Sequence, residues 1–282
     1  MKPGGQAVAG EYFVRPDLLD EVQPDQLLPW ARKIAERAEP AEIYRDKEGR
    51  KTLRFRAINK AFFLKLHSGI GWREVFKNLL QLRLPVTGAD NEFRAIRKLE
   101  ALGVDTLSVA AYARVGLNPA RVQSLLVTDD LVGTVSLEDY CANWSSAAPA
   151  PVLRWRIIRT LAATSRAMHG AGINHRDYYL CHFHLDPVSL QRAQLRCHLI
   201  DLHRAQIRKA VPRRWRVKDL AGLYFSAMDC GISRRDLLRF VRAYSGEGLR
   251  ETLRSQHQLW TAVQQRALKL YRQEYGREPP AL

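Results

Sequence analysis

The hydrophobic period of this chain changes near its middle, and that change limits the fold more than any other feature. From residue 42 to about 131, apolar residues fall mostly in short β-branched and aromatic runs, some strictly alternating, with helical stretches set late among them; from 136 onward they recur every three to four residues. A strand-rich half followed by a helix-rich half predicts an α+β chain of two lobes, cut at "LVGTV" near 130–135. The expected organisation is a partly ordered N-terminal extension over 1–40, a strand-rich lobe over 41–132 and a helical lobe over 133–282.

The individual elements follow from local pattern. "DQLLPWARKIAERA" (25–38) reads as a short helix, with Asp25 as its cap and Pro29 near its start. Residues 42–67 read as a three-stranded antiparallel meander broken at "KEG" and "INK". In its third run Phe62, Leu64 and Leu66 share one face and Lys65 lies on the other. Helices are expected over 71–85 and 88–104, the second capped at Asp90 and stopped at Gly103, followed by strands within 104–115 and 121–131. The second half predicts helices over 136–144, 151–172, 217–231, 233–246 and 253–276, with short strands around Asp201 within 196–207. In the 151–172 helix Trp155, Ile158, Leu161 and Met168 are expected to share the buried face.

Length and composition set the outer bounds. The 282 residues suffice for one large domain or two lobes, and no apolar run is long enough for a membrane span or a secretory core segment. Four cysteines without a CxxC pair read as reduced thiols in a cytoplasmic protein. The formal net charge of +16 calls for a polyanionic partner: nucleic acid, an anionic membrane face, a phosphorylated glycolipid or an acidic protein. No helix-turn-helix context, RNP string or zinc finger accompanies that charge, which argues against nucleic acid.

Four polar residues then fall in a telling order: Lys65 on a strand, Glu92 near the start of a helix, Asp177 in "HRD" after the long helix, and Asp201 in "LIDLH". This is the order of a bilobal protein-kinase-like fold, in which a strand lysine paired with a helix glutamate holds nucleotide phosphates, a loop aspartate serves as base and a later aspartate binds metal. Phosphoryl transfer from ATP needs fixed cations on the triphosphate, and Mg²⁺ prefers oxygen ligands. Taken singly, each residue has a plainer reading: an exposed strand lysine, a surface glutamate with Glu74, Asp90 and Glu100 as competitors, a chance tripeptide, a turn cap. The joint order favours the kinase. "TDDL" (128–131) lies where the lobes join, so Asp129, Asp130 and Leu131 are candidates to contact the adenine. His175, Cys181, His182, His184, His198 and His203 lack zinc-ligand spacing and read as satisfied polar groups.

The strings "KTLRFRAINKAFFLKLHSG" (51–69), "KNLLQLRLPVTGADNEFRAIRKLEALGVDT" (77–106), "SLEDYCANW" (136–144), "MHGAGINHRDYYLCHF" (168–183), "LIDLHRAQIR" (199–208) and "VPRRWRVKDLAGLYFSAMDCGISRRD" (211–236) resemble the lipopolysaccharide core heptose(I) kinase family, over about residues 50–245. The resemblance implies a protein-kinase-like fold and ATP- and Mg²⁺-dependent phosphorylation of the first heptose (O-4) of the lipopolysaccharide core at the cytoplasmic face of the inner membrane. By motif it implies Asp177 as catalytic base, Lys65 and its partner Glu92 at the phosphates, and Asp201 at the metal; His175 and Arg176 beside Asp177 are expected to hold the loop in place.

Departures from protein kinases are equally legible. No GxGxxG precedes Lys65; Tyr179 stands two after Asp177, where a lysine is usual; His182 stands five after it, where a metal-binding asparagine is usual. His182 is therefore a candidate at the metal, on a phosphate oxygen or as an orienter of Asp177. The stretch from Asp201 to Asp219 is too short for a phosphorylated activation segment, and Asp219 is expected to hydrogen-bond back to the catalytic loop. In its place runs "HRAQIRKAVPRRWRVK" (203–218), basic and free of acids, whose Arg204, Arg208, Arg213 and Arg214 suit the carboxylates and phosphates of an anionic glycolipid. An acidic carrier protein could use the same surface, and a simply solvated basic stretch is the plain alternative. Other readings are another small-molecule or protein kinase of this fold, or a non-enzymatic basic binding protein.

Overall fold

The computed structural model describes residues 10–47, 49–69, 71–72, 88–118 and 120–281. The described chain divides into two compact units, one within Met1–Arg97 and Leu107–Val132, the other within Lys98–Thr106 and Gly133–Leu282.

The first unit is built on a six-stranded antiparallel sheet. Its strands are β1 (Gly10–Val14), β2 (Ile43–Lys47), β3 (Arg50–Ala57), β4 (Lys60–His67), β5 (Val109–Val115) and β6 (Gln123–Asp129), in spatial order β1-β5-β6-β4-β3-β2. The expected meander is β2 to β4. Ile58 and Asn59 turn β3 into β4 with both backbones in the left-handed region (φ 45° and 59°), as a two-residue hairpin with the right twist requires. Alternation then sorts the faces: Leu53, Phe55, Phe62, Leu64 and Leu66 are buried together with Ala111, Ala113, Leu125 and Val127. The helix Leu27–Arg37 covers this face with Leu27, Ala31 and Ala35, and Trp30 meets Phe55 edge-on at 5.5 Å. Lys65 and Tyr112 belong to the opposite face, where the helix Asp90–Ala101 lays Phe93 flat on Tyr112, ring centroids 4.0 Å apart.

Residues set apart as an extension supply β1 and this covering helix. Asp25 does not cap the helix; it sits in the 3-10 turn Pro24–Gln26, and Gln26 precedes the first helical residue without a side-chain bond. Asp90 is the first residue of its helix rather than the cap, and Gly103 (φ 70°) follows its end as expected. The helix read over 71–85 lies outside the described residues, apart from Gly71 and Trp72.

The second unit packs the helices Pro151–Gly170, Arg213–Ala227, Arg234–Ser245 and His257–Tyr275 around Ala162, Leu220, Ala221, Met228, Tyr244, Leu259, Val263, Ala267 and Tyr271. The helix expected over 253–276 is two, Leu249–Ser255 and His257–Tyr275, broken at Gln256 (φ −113°, ψ 19°). Trp155 is not on the buried face of Pro151–Gly170: it is 41% exposed with Arg159 stacked on its ring, while Ile157, Leu161, Ser165 and Met168 face inward. Short strands complete the unit. β8 (Ile173–Asn174) pairs with β11 (Gln206–Ile207), and β9 (Phe183–Leu185) lies between β7 (Val135–Ser136) and β10 (Cys197–Leu199). Gly172 (φ 79°) permits the first of these pairings, because a Cβ there would strike the Arg208 carbonyl oxygen.

Candidate active site

In the first unit Lys65 Nζ donates to Glu92 Oε1 at 2.6 Å, with Glu92 1% exposed. The stacking of Phe93 on Tyr112 fixes the helix turn that carries Glu92, so a fold-determining contact one residue away sets the ion pair. The acids of "TDDL" are already engaged. Asp129 accepts from both terminal nitrogens of Arg15 at 2.7 and 2.8 Å, and Asp130 accepts from Arg54 Nε at 2.7 Å. Arg15 also grips Asp17, holding that carboxyl down at about 2. Asp129 and Asp130 thus spend their carboxylates on the sheet's own arginines, and Leu131 beside them is half-buried.

The second unit arranges the "HRD" loop in detail. Asp219, fully buried in the helix Arg213–Ala227, accepts the backbone N–H of His175 at 2.7 Å and of Arg176 at 2.8 Å. This is the expected bond from helix acid to loop. It holds Arg176 in the left-handed region (φ 80°), which turns the chain so that Asp177 projects. His175 is buried and donates Nε2–H to the Ile200 carbonyl at 2.9 Å, leaving Nδ1 to accept the Asp177 N–H at 3.3 Å. Burial holds its pKa below the usual histidine range, which suits a neutral ring used in that tautomer. His175 therefore ties the loop to the segment that ends in Asp201.

His182 ends the 3-10 turn Leu180–His182. It donates Nδ1–H to the Asp177 carbonyl at 2.7 Å and turns Nε2 toward Asp201 Oδ2 at 3.6 Å. Burial opposes charge on this ring, but hydrogen bonds with Cys181 and the Asp177 carbonyl, and the charge of Asp201, push its pKa up to about 9. Asp201 itself has a left-handed backbone (φ 59°), and its Oδ1 accepts from His203 Nδ1 at 2.6 Å. Its carboxylate suits Mg²⁺, which takes one or two protein carboxylates and completes its shell with phosphate oxygens and water. Other histidines have local partners: His184 is 3.1 Å from Thr134 Oγ1, and His198 donates to the Thr106 carbonyl at 3.1 Å.

The basic segment is not a uniform solvated face. Arg204 Nη1 donates to both oxygens of Asp177, at 2.8 and 3.0 Å. Arg208 bonds Asn174 Oδ1 and Gln206 Oε1, both at 2.6 Å, and Arg213 donates to the Gln258 carbonyl at 2.7 Å. Trp215 is half-buried, with Arg176, Arg208, Arg214 and Lys218 stacked over its ring at 5.3 to 5.9 Å. Sequence reasoning named Arg204 for the acceptor and missed its hold on Asp177; the only available signal was its place three residues after Asp201. An apolar cavity of about 470 Å³, lined by residues such as Leu137, Trp144, Leu161 and Leu223, also lies in this unit, but its lining lacks Asp177, Asp201 and their partners.

Comparison with known proteins gives the family and the fold. The profile of the lipopolysaccharide kinase (Kdo/WaaP) family matches residues 35–244. The chain is similar to "Lipopolysaccharide core heptose(I) kinase WaaP" of Escherichia coli, 46% identical over 230 residues, 81% of this chain and 87% of that protein. It is similar to the protein of the same name from Pseudomonas aeruginosa, 48% identical over 240 residues, 83% of this chain and 89% of that one. It superposes on the solved structure "WaaP in complex with acyl carrier protein" with a TM-score of 0.76 at 38% identity, covering 93% of this chain and 99% of that one. The α+β, kinase-like fold read from the sequence is the fold observed.

Proposed function

The chain belongs to the lipopolysaccharide kinase (Kdo/WaaP) family, and on that premise we propose that it transfers the terminal phosphoryl group of ATP to O-4 of the first heptose of the lipopolysaccharide inner core. It is a phosphotransferase acting on a hydroxyl group. The observation that carries the mechanistic reading is the pinned loop: Asp219 on two backbone N–H groups, His175 across to Ile200, and Asp177 left projecting with its carboxylate addressed by an arginine.

In this reading Asp177 takes the proton of the heptose hydroxyl as that oxygen attacks the terminal phosphorus, which adds ~10²–10⁴-fold to the rate. Lys65, held by Glu92, provides a fixed cation for the triphosphate. Asp201 would hold Mg²⁺, which when bound supplies neutralising charge on the phosphate oxygens. His182 braces Asp177 through its carbonyl and turns Nε2 toward Asp201, beside the place where a metal would be held. Asp129 and Asp130 have their side chains engaged, so adenine contacts by residues 128–131 fall to backbone groups and Leu131.

Arg213 and Arg214, exposed at the start of their helix, serve the anionic acceptor together with Arg208. Cations in a first helical turn oppose the helix dipole, and an anion bound there would relieve that opposition. Among the described residues no helix is long and apolar enough to cross a membrane. The reading therefore places the protein peripherally, at the cytoplasmic face of the inner membrane, through its positive charge. The solved relative's complex with acyl carrier protein supports an acidic carrier protein as partner for a chain of net charge +16.

The test is direct. Purified protein with ATP and Mg²⁺ should add phosphate to a heptose-containing core acceptor, located by mass spectrometry of the product. Phosphate on a Kdo sugar instead, or transfer to an aminoglycoside only, would overturn the assignment.

A further inference from the structure

Arg204, read from the sequence as an acceptor-docking residue, holds the carboxylate of Asp177. It closes the turn Leu202–Arg204 after Asp201, and one nitrogen, Nη1, donates to both oxygens of Asp177 at 2.8 and 3.0 Å. Among the described residues its guanidinium makes no other hydrogen bond, so Nη2 and Nε keep N–H donors to offer. Its side chain is 35% exposed and that of Asp177 19%, which leaves the pair open to an incoming group. The residue two after Asp177, where protein kinases carry a lysine, is Tyr179, and its ring packs against Phe225 and His182. The loop itself thus places no cation at that position.

The charges around the pair are unbalanced in one direction. Arg176, Lys218 and Arg204 lie close enough to influence one another, with Asp177 and Asp219 as the neighbouring acids. Asp219 is fully buried, with its carboxylate on two backbone N–H groups and 3.4 Å from His169 Nε2. Two carboxylates therefore answer these three cations, and Arg208 beside Arg176 adds a fourth. Burial first, then the two guanidiniums, holds Lys218 below the usual lysine range, a cost that further negative charge arriving at this place would relieve.

We propose that Arg204 is the positioning cation of phosphoryl transfer: it fixes the Asp177 carboxylate through Nη1 and presents its other N–H donors to the oxygens of the phosphoryl group in transit. This rests on the kinase reading above and goes beyond it. In the step, the acceptor oxygen bonds to the terminal phosphorus, the bond to the bridging oxygen of the departing nucleoside diphosphate breaks, and the acceptor proton passes to Asp177. Arg204 stays protonated throughout. Because the charge on the phosphoryl oxygens is redistributed as the group transfers, the benefit falls on kcat rather than on acceptor binding.

Arg204→Met and Arg204→Lys test this beside Arg214→Met, using kcat, acceptor KM, melting temperature and the affinity for a non-hydrolysable ATP analogue with Mg²⁺ by titration calorimetry. Arg204→Met should lose ~10²–10³ in kcat, as removal of one donor to a transition-state oxygen does. Its acceptor KM and analogue affinity should stay within about threefold of wild type. Arg204→Lys, with charge but no planar fork, should recover part of the rate at an unchanged melting temperature, whereas Arg214→Met should raise acceptor KM and keep kcat. A raised acceptor KM at wild-type kcat in Arg204→Met would assign Arg204 to docking and overturn the proposal. So would equal loss in the Met and Lys variants with a lowered melting temperature, which marks a structural residue. Failure of the wild-type protein to phosphorylate the acceptor is a separate result, and it would sink the kinase reading itself.

Discussion

Asp219→Ala is the perturbation whose size the structure fixes best. The carboxylate is fully buried and accepts the backbone N–H of His175 and Arg176 at 2.7 and 2.8 Å. Hydrogen bonds to a charged partner contribute ~1.5–3 kcal/mol each, and the alanine leaves two buried donors without an acceptor. Part of this returns, because Arg176 (φ 80°) is then free to leave a left-handed conformation that costs about 1–2 kcal/mol. The net local loss is about 2–4 kcal/mol. The whole molecule need not unfold to show it: hydrogen exchange at the His175 and Arg176 amides should quicken by ~30-fold to ~10³-fold while amides of the six-stranded sheet keep their protection. Turnover should fall by ~10²-fold, the cost of a displaced reacting group, with acceptor KM little changed. Unchanged exchange at those two amides, or exchange that quickens while kcat stays at the wild-type value, would refute the reasoning that this carboxylate holds the loop for catalysis.

Other outcomes follow from the same geometry. Glu92→Ala removes the buried carboxylate that Lys65 holds at 2.6 Å and should lower the melting temperature and weaken ATP-analogue binding. His182→Phe keeps a ring but removes the bond to the Asp177 carbonyl and the nitrogen facing Asp201; kcat should drop at least ~10-fold with the circular dichroism spectrum unchanged. Asp236 is held below its ordinary pKa: burial raises it, but the bonds from Ser233 and the charge and bonds of Arg154 win. A depressed folded pKa gives stability that is present above the unfolded value of about 3.9 and is lost as pH falls through the folded one. The destabilisation caused by Asp236→Asn should therefore be largest near neutrality and shrink below about pH 4 in urea titrations.

The sequence carried the sheet well because its faces alternate: Phe62, Leu64 and Leu66 announce one side of β4, and Lys65 has to occupy the other. The stop at Gly103 was equally plain, whereas neither Asp25 nor Asp90 caps its helix. Less was legible where an element is defined by its partner. β1 is five residues at a sheet edge and becomes a strand only through β5. The break at Gln256 is a local backbone event inside a continuous helical pattern. At the site, Lys65, Glu92, Asp177, Asp201 and Asp219 could be ordered along the chain by chemical type. What Arg204, His182, Asp129 and Asp130 do could not, since each role is a contact with a residue remote in sequence or with a carbonyl oxygen that leaves no mark on the pattern.

The central claim is that Asp177, projected by a loop pinned to Asp219, takes the proton in transfer of phosphate to a heptose hydroxyl. Asp177→Asn tests it most directly, because the amide keeps the shape and can still accept from Arg204 while losing the base. With ATP, Mg²⁺ and the heptose-containing core acceptor, wild type should yield a singly phosphorylated heptose by mass spectrometry. Asp177→Asn should yield ~10²-fold less or below while melting near the wild-type temperature. Wild-type turnover by Asp177→Asn would contradict the account.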